Sequence, residues 1–324
     1  MYRSYVDQTL GYFDRPHVGV PVASVGGPSA WRSADLRDAD WLVEIDAGGA
    51  DALADIGRAV ARSRVPLGEV TVADLPPPAV AVLAPIIAEA RRAVSDGLGF
   101  VLWRGVPVDA LTLPECEALF WSIGLLLGRP GAQNGAGDLL GNVRDYHDDP
   151  GSPLGREYRT TVDINFHCDA ADVVGLLCVS EPSSGGESRI VSSVTVFDEV
   201  LAQRPDLAAR LCEPAELDTR SDGEGFPHVT ITPVCFDGTT LRTFMHLGYL
   251  RSVARHPGVV VDAQLAEALD LWESIAARPD VHLDMVLQRG DIQLCSNHSI
   301  AHARRAYVDD PASPRHLLRL WLTL

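Results

Sequence analysis

From about residue 157 onward the chain becomes a succession of short strand-like runs, and this restricts what it can fold into. The runs fall at Arg159–His167, Val173–Val179, Ser188–Val194, Val229–Phe236, Thr240–Leu250, His282–Gln288, Ile292–Asn297 and Arg315–Leu324. Alternation of apolar and polar residues is the mark of a strand with one buried face. Two helical stretches interrupt them, near Val196–Arg210 and Asp262–Ala277. Many strands separated by turn residues point to a β-rich α+β chain with a closed or double-sheet architecture such as a jelly roll. The first part differs. Residues 1–40 carry Pro16, Pro21, Gly26-Gly27-Pro28 and Trp31, which predicts an irregular arm, residues 1–50, packed on the core. Helices are predicted at Asp51–Ser63, Pro76–Ser95 and Pro114–Leu127, with a strand at Phe100–Val108. Proline opens the second and third helices, and Gly97 and Gly128 close them. No linker divides the 324 residues, so one domain spanning 1–324 is expected.

Chemistry concentrates at the end of the first of those strands. Three His-x-Asp triplets occur: His147-Asp148-Asp149, His167-Cys168-Asp169 and His282-Leu283-Asp284. With 10 His in the chain, chance alone supplies roughly one such triplet, so context must choose. His147 sits in a loop rich in Pro and Gly. His282 is predicted on the outward face of a strand, from the alternation of Val281, Leu283 and Met285 with His282 and Asp284. His167 ends the alternating run Thr160–Phe166, and residues i and i+2 of a strand share a face, so His167 and Asp169 can aim at one ion. A half-buried, hydrogen-bonded imidazole is the competing reading. Far downstream lies Asn297-His298-Ser299-Ile300-Ala301-His302-Ala303-Arg304, followed by Arg315-His316-Leu317-Leu318-Arg319. Two His and one carboxylate bind one face of iron(II) and leave the opposite positions open. An arginine beyond the second His can grip the far carboxylate of a dicarboxylic acid in two-pronged fashion. The pattern therefore reads as a non-haem Fe(II) oxygenase that consumes 2-oxoglutarate.

Composition removes competing classes. Net charge is −17 and the pI about 4.9. No basic run exists to bind duplex nucleic acid, so no nucleic-acid partner is expected. All 27 basic residues are arginine, which excludes Schiff-base lysines, pyridoxal-phosphate anchors and P-loops. The six Cys (116, 168, 178, 212, 235 and 295) are scattered without a Cys-x-x-Cys pair, so buried thiols are expected and a zinc or iron–sulfur site is not. The first 16 residues hold charges and aromatics without an apolar core, and the longest apolar stretch, near Pro78–Ala88, is short and contains proline. No signal peptide or membrane span is expected, which gives a cytoplasmic protein in a reducing compartment.

The ordered set Phe166-His167-Cys168-Asp169, Gly185-Gly186-Glu187-Ser188, Gly290-Asp291-Ile292, Asn297, His302-Ala303-Arg304 and Arg315 with Arg319 resembles the taurine dioxygenase family (TauD/TfdA-like), which includes clavaminate synthase-like enzymes. The resemblance runs from about residue 80 to the C-terminus. It implies a double-stranded β-helix, or jelly roll, with helices packed outside. It implies that His167, Asp169 and His302 hold Fe(II). Ser188 would hydrogen-bond the co-substrate 2-oxoglutarate. Arg315, 13 positions after His302, would pair with its distal carboxylate. Arg319, four further on, would hold 2-oxoglutarate or an anionic substrate.

Competing readings accompany these assignments. His298 lies four residues from His302 and is a rival ligand, although the His-x-Arg context favours His302. Arg315 and Arg319 could be salt-bridge residues, yet Arg319 sits in the apolar run Leu317–Leu322, where an unpaired guanidinium is costly. Arg304 could be a support of the iron site, a structural ion pair or a substrate contact. Polar residues on segments leading to His167 are the remaining substrate candidates: Gln133, Asn134, Arg144, Tyr146, Tyr158 and Asn165. The reaction implied uses Fe(II), 2-oxoglutarate and O2 to hydroxylate a C–H bond of a small molecule in specialised metabolism. Desaturation, epoxidation or cyclisation of a biosynthetic intermediate at the same site is the alternative. The presence of Asp169, where related halogenases lack a carboxylate, disfavours chlorination. A non-redox, cupin-like metal-binding protein is the rival of another class, and it has no need of the Arg315/Arg319 pair.

Overall fold

The structure is a computed structural model and describes residues 2–149, 156–220 and 226–324. Two sheets lie face to face. The larger has the strand order Leu42–Glu44, Phe100–Arg104, Ile292–Ser296, Val173–Ser180, His316–Thr323 and Arg129–Gly131, with Gly141–Val143 also paired to His316–Thr323. Its pairings are antiparallel except for that of the two leading strands. The smaller has the order Leu283–Met285, Ser188–Ser192, Ile300–Arg304 and Ile164–His167, antiparallel throughout. This is the jelly-roll sandwich that the strand pattern predicts, with helices flanking it.

Alternation along the strands sorts the layers. Phe100, Leu102, Val174, Cys178, Leu317 and Trp321 of the large sheet meet Ile190, Met285 and Ile300 of the small one in the sandwich interior. The other face of the large sheet, with Val101, Trp103, Leu294 and Leu318, packs on the helices Ala47–Ser63, Pro77–Ser95 and Leu113–Leu127. The other face of the small sheet, with Val191, Ala301 and Ala303, packs on Ser193–Gln203, Pro205–Leu211 and Ala263–Ala276. Local chemistry explains the helix starts. Thr112 and Glu115 form a reciprocal capping box ahead of Pro114. The Asp46 and Asp262 carboxylates accept from the amides of Gly49 and Leu265.

Several expectations need correction. The predicted arm contains a helix, Tyr5–Phe13, started by Ser4, whose side chain accepts from the Asp7 amide. Its last ten residues include the strand Leu42–Glu44 and the opening of the helix Ala47–Ser63. The run Thr240–Leu250 is a short strand, Leu241–Thr243, followed by a helical turn, Leu247–Ser252. It buries Leu247 and Leu250, three apart on one helical face. The run Val229–Phe236 divides into His228–Ile231 and Val234–Phe236. The stretch Val196–Arg210 is two helices, because Pro205 opens a second one. His282 is buried rather than outward: its Nδ1 meets the Ala276 carbonyl at 3.0 Å and its Nε2 meets Arg189 at 2.6 Å.

Candidate metal centre

His302 lies on the strand Ile300–Arg304, and its Cα partner on the neighbouring strand is His167. Pairing sets the two imidazoles side by side, with ring centroids 4.2 Å apart. His167 Nδ1 lies 2.9 Å from the Asn165 carbonyl oxygen. A carbonyl only accepts, so Nδ1 carries the proton and Nε2 keeps its lone pair for another use. Burial and the neighbouring His167 push His302 down to about 3, which keeps this imidazole neutral as a donor ligand must be.

Asp169 does not share the strand with His167, as the sequence suggested. The strand ends at His167, and Asp169 is the second residue beyond it. Asn297, fully buried, compensates for the lost strand context. Its Oδ1 accepts from the Asp169 amide at 3.0 Å and its Nδ2 donates to the Ala171 carbonyl at 2.9 Å. The carboxylate itself accepts from the Trp321 indole N–H at 2.9 Å through Oδ2. Arg319 Nη1 and His302 Nε2 stand 3.7 and 3.8 Å from the same oxygen. Burial pushes the carboxyl up, but Arg319, the two imidazoles and Trp321 outweigh it, and Asp169 ends below the usual carboxylate range. It is therefore ionised.

His167, Asp169 and His302 each present one ligand atom, and these atoms lie within 4.8 Å of one another. Among the described residues this is the one grouping of three or more His, Cys, Asp or Glu side chains able to hold a metal ion. The donor set, two imidazoles and one carboxylate, fits iron(II). Cys168 points away, its thiol directed to the Ile300 carbonyl at 3.5 Å. The rival His298 is occupied elsewhere. Its Nε2 meets Asp172 at 2.8 Å and its ring stacks on Tyr12 at 4.7 Å. His147 pairs with Asp145 and is 90% exposed.

The remaining predicted residues divide into two groups. Ser188, Arg304, Arg315 and Arg319 gather in the interior with the triad. Ser188 is the Cα partner of Arg304 and donates to Gln293 Oε1 at 2.9 Å. Arg304 donates through Nη2 to the carbonyl of Thr160 at 2.8 Å and to that of Val162. Arg304 and Arg315 both lie against the Tyr307 ring. Burial and the Arg315 charge push Arg304 down to about 10, and burial lowers Arg315 too. Arg319 is paired, not isolated. Its Nε donates to Gln133 Oε1 at 2.7 Å, and the guanidinium lies over Tyr158 and Trp321. Gln133 and Tyr158 are thus supports of Arg319. Outside this group, Asn134 is half-buried and bonds Asp138, Arg144 is exposed and lies over Tyr146, and Asn165 is exposed while its carbonyl orients His167.

Sequence reasoning missed two neighbours. Trp321 alternates with Arg319 on the inward face, a signal present in Leu317–Leu322. His246 forms a backbone bridge to His167, with ring centroids 5.2 Å apart, and stacks on Tyr249. Burial and the nearby His167 push it well below the ordinary imidazole range. Nothing in its apolar surroundings marked it.

Known proteins resemble the chain in sequence and in fold. The model of the taurine catabolism dioxygenase TauD, TfdA family matches residues 63–321. The FR-33289 synthase of Streptomyces rubellomurinus is 31% identical over 320 residues, covering 93% of this chain and 90% of its own length. The structure of an asparagine oxygenase in complex with Fe(II), 3-hydroxyasparagine and succinate superposes with a TM-score of 0.68 at 19% identity, covering 87% of this chain and 93% of that one. The non-heme iron oxygenase OrfP in complex with Fe and alpha-ketoglutaric acid gives 0.63 at 14% identity, covering 87% and 94%.

Proposed function

Since the chain belongs to the TauD/TfdA family and is an Fe(II)- and 2-oxoglutarate-dependent oxygenase, we propose that His167, Asp169 and His302 hold its iron and that it hydroxylates a C–H bond of a small biosynthetic intermediate. One observation carries the ligand assignment: three donor atoms, from two imidazoles and a carboxylate, lie within 4.8 Å of one another. When bound, iron(II) with 2-oxoglutarate and O2 supplies the oxidising chemistry that converts C–H to C–OH, releasing succinate and CO2.

The chain's own residues prepare the site. The Asn165 carbonyl fixes the His167 tautomer. Asn297 holds the turn that carries Asp169, and Trp321 restrains the plane of its carboxylate by donating to Oδ2. Such supports keep ligands within the tolerance an octahedral ion requires. The buried Arg315 is assigned to the distal carboxylate of the co-substrate, with the buried Ser188 as a hydrogen-bond donor to it. Arg319, kept in place by Gln133 and charged at the pocket wall, is suited to an anionic group of the substrate. That the bacterial relative is a synthase supports a biosynthetic role. Asp169 fills the position a halide needs, which favours hydroxylation over chlorination. We read the chain as one domain acting in the cytoplasm; its buried free thiols fit a reducing compartment, and among the described residues no helix is long and apolar enough to cross a membrane. Its net charge of −17 speaks against a nucleic-acid partner.

The test is spectroscopic. Anaerobic protein with Fe(II) should develop a metal-to-ligand absorption band when 2-oxoglutarate is added, and His167→Ala, Asp169→Ala and His302→Ala should each lose it. Retention of the band in His302→Ala, with loss in His298→Ala, would reassign the third ligand.

A further inference from the structure

Two buried arginines lie against one tyrosine ring, and only Arg315 has been given a task. Arg304 is 6% and Arg315 3% exposed. Their guanidinium carbons lie 4.8 and 5.0 Å from the Tyr307 ring centroid. Neither forms a salt bridge with a carboxylate of the described residues. Arg304 Nε and Nη1, Arg315 Nη1 and the Tyr307 hydroxyl are buried and have no hydrogen-bond partner among them. Two cations sharing one apolar neighbourhood repel each other, and each unmet buried donor costs free energy. The Tyr307 ring face offsets part of this by cation–π contact, but it accepts none of the three donors. An anion between them would satisfy all of these demands.

The strands say which anion. Arg304 follows His302 by two residues on the same regular pairing with Ser188–Ser192, so both side chains enter the sandwich from one face. The step between them is about 6.6 Å along the strand. Ser188, the cross-strand partner of Arg304, lies at the same level. A five-carbon diacid held by its 2-oxo end at the triad spans such a step with its other end.

We propose that Arg304 and Tyr307 complete, with Arg315, a three-sided receptor for the distal carboxylate of 2-oxoglutarate, which makes Arg304 a co-substrate residue and not a substrate contact. The inference rests on the iron and 2-oxoglutarate reading above. Nη2 of Arg304, anchored on the carbonyls of Thr160 and Val162, sets the guanidinium in place before the ligand arrives. It also ties co-substrate binding to the segment that leads into His167.

The experiment compares two 2-oxo acids on the anaerobic Fe(II) protein: 2-oxoglutarate, and 2-oxobutyrate, which lacks the distal carboxylate. The readout is the dissociation constant from the absorption band, which needs no turnover. In Arg304→Gln the preference for 2-oxoglutarate over 2-oxobutyrate should shrink by about ten-fold or more, the effect of losing charge-assisted contacts. In Tyr307→Phe, which keeps the ring and the packing, it should shrink by about two- to ten-fold. Equal weakening of both acids in both variants would mean a purely structural role and overturn the proposal. Unchanged affinity for both acids would overturn it as well. If the unaltered protein bound neither acid at iron, the iron and co-substrate reading itself would fall, and this inference with it.

Discussion

Replacing Trp321 by Phe tests whether the carboxylate is held for a metal. The indole N–H donates to Asp169 Oδ2 at 2.9 Å, while Arg319 stands at 3.7 Å from that oxygen, too far for a strong hydrogen bond. Trp321 is therefore the main restraint on the carboxylate plane. Phe retains most of the ring area in the sandwich interior, where Trp321 is 6% exposed, but removes the donor. A hydrogen bond to a charged group contributes about 1.5–3 kcal/mol. Part of that is lost equally from metal-free and metal-bound protein, because the bond is made before the metal arrives. The remainder is the cost of restoring the ligand's orientation upon binding. Supports of this kind change metal affinity by about 10- to 100-fold, or roughly 1.4–2.7 kcal/mol. Anaerobic Fe(II) titration by calorimetry should show weakening in that range. Unfolding of the metal-free variant should show a smaller loss, from the slightly under-filled site. An Fe(II) affinity within two-fold of the unaltered protein would refute the argument that Asp169 needs Trp321.

Three further outcomes follow from the same structure. Arg315→Ala should raise the KM for 2-oxoglutarate by about 10- to 150-fold in steady-state assays, and Arg315→Lys should recover only part, since an ammonium lacks the planar fork. His298→Asn should bind Fe(II) nearly as the unaltered protein does, because its imidazole serves Asp172 and Tyr12, whereas His302→Asn should not bind it measurably. Asp218→Asn should lower stability by about 1–3 kcal/mol at neutral pH in urea unfolding. Burial pushes the Asp218 carboxyl up, but Arg255, the Arg220 amide, Ser252 and His256 hold it well below the usual range, so its contribution is present above about pH 4 and fades as pH falls below that. The gap between variant and unaltered protein should therefore narrow in acid.

The strand-rich half was legible because its strands alternate, and alternation reports burial directly. Boundaries failed where another signal overrode the period of two. Leu241 to Leu250 is apolar enough to pass for one strand, and only the three-residue spacing of Leu247 and Leu250 betrays the helical turn. The helix Tyr5–Phe13 was hidden by the Pro and Gly that follow it, although Ser4 and Asp7 supply its start. At the site, His167, His302 and Asp169 were readable as residue types in order. That Asp169 lies off the strand was not, because its placement depends on Asn297, 128 residues away. Trp321, Gln133 and Tyr158 act through contacts between distant segments, and no local pattern encodes which arginine or carboxylate they serve. His246 is the clearest case: only the backbone bridge to His167 reveals it.

Charge is the one property on which whole and part disagree. The chain carries −17 overall, yet the interior around the triad holds Arg304, Arg315 and Arg319, with one carboxylate, Asp169, in direct reach of Arg319. Bulk acidity acts through solvent and is screened within about 10 Å at moderate salt. A buried guanidinium acts in a weaker dielectric and is not screened in the same way. The local excess of positive charge therefore decides what the site attracts, and the bulk acidity governs solubility instead. The lysine-free composition sharpens the effect. Every buried cation is a planar fork suited to carboxylates, less easily neutralised by burial than an ammonium, so the pocket keeps its charge at the depth where an anionic co-substrate must be recognised.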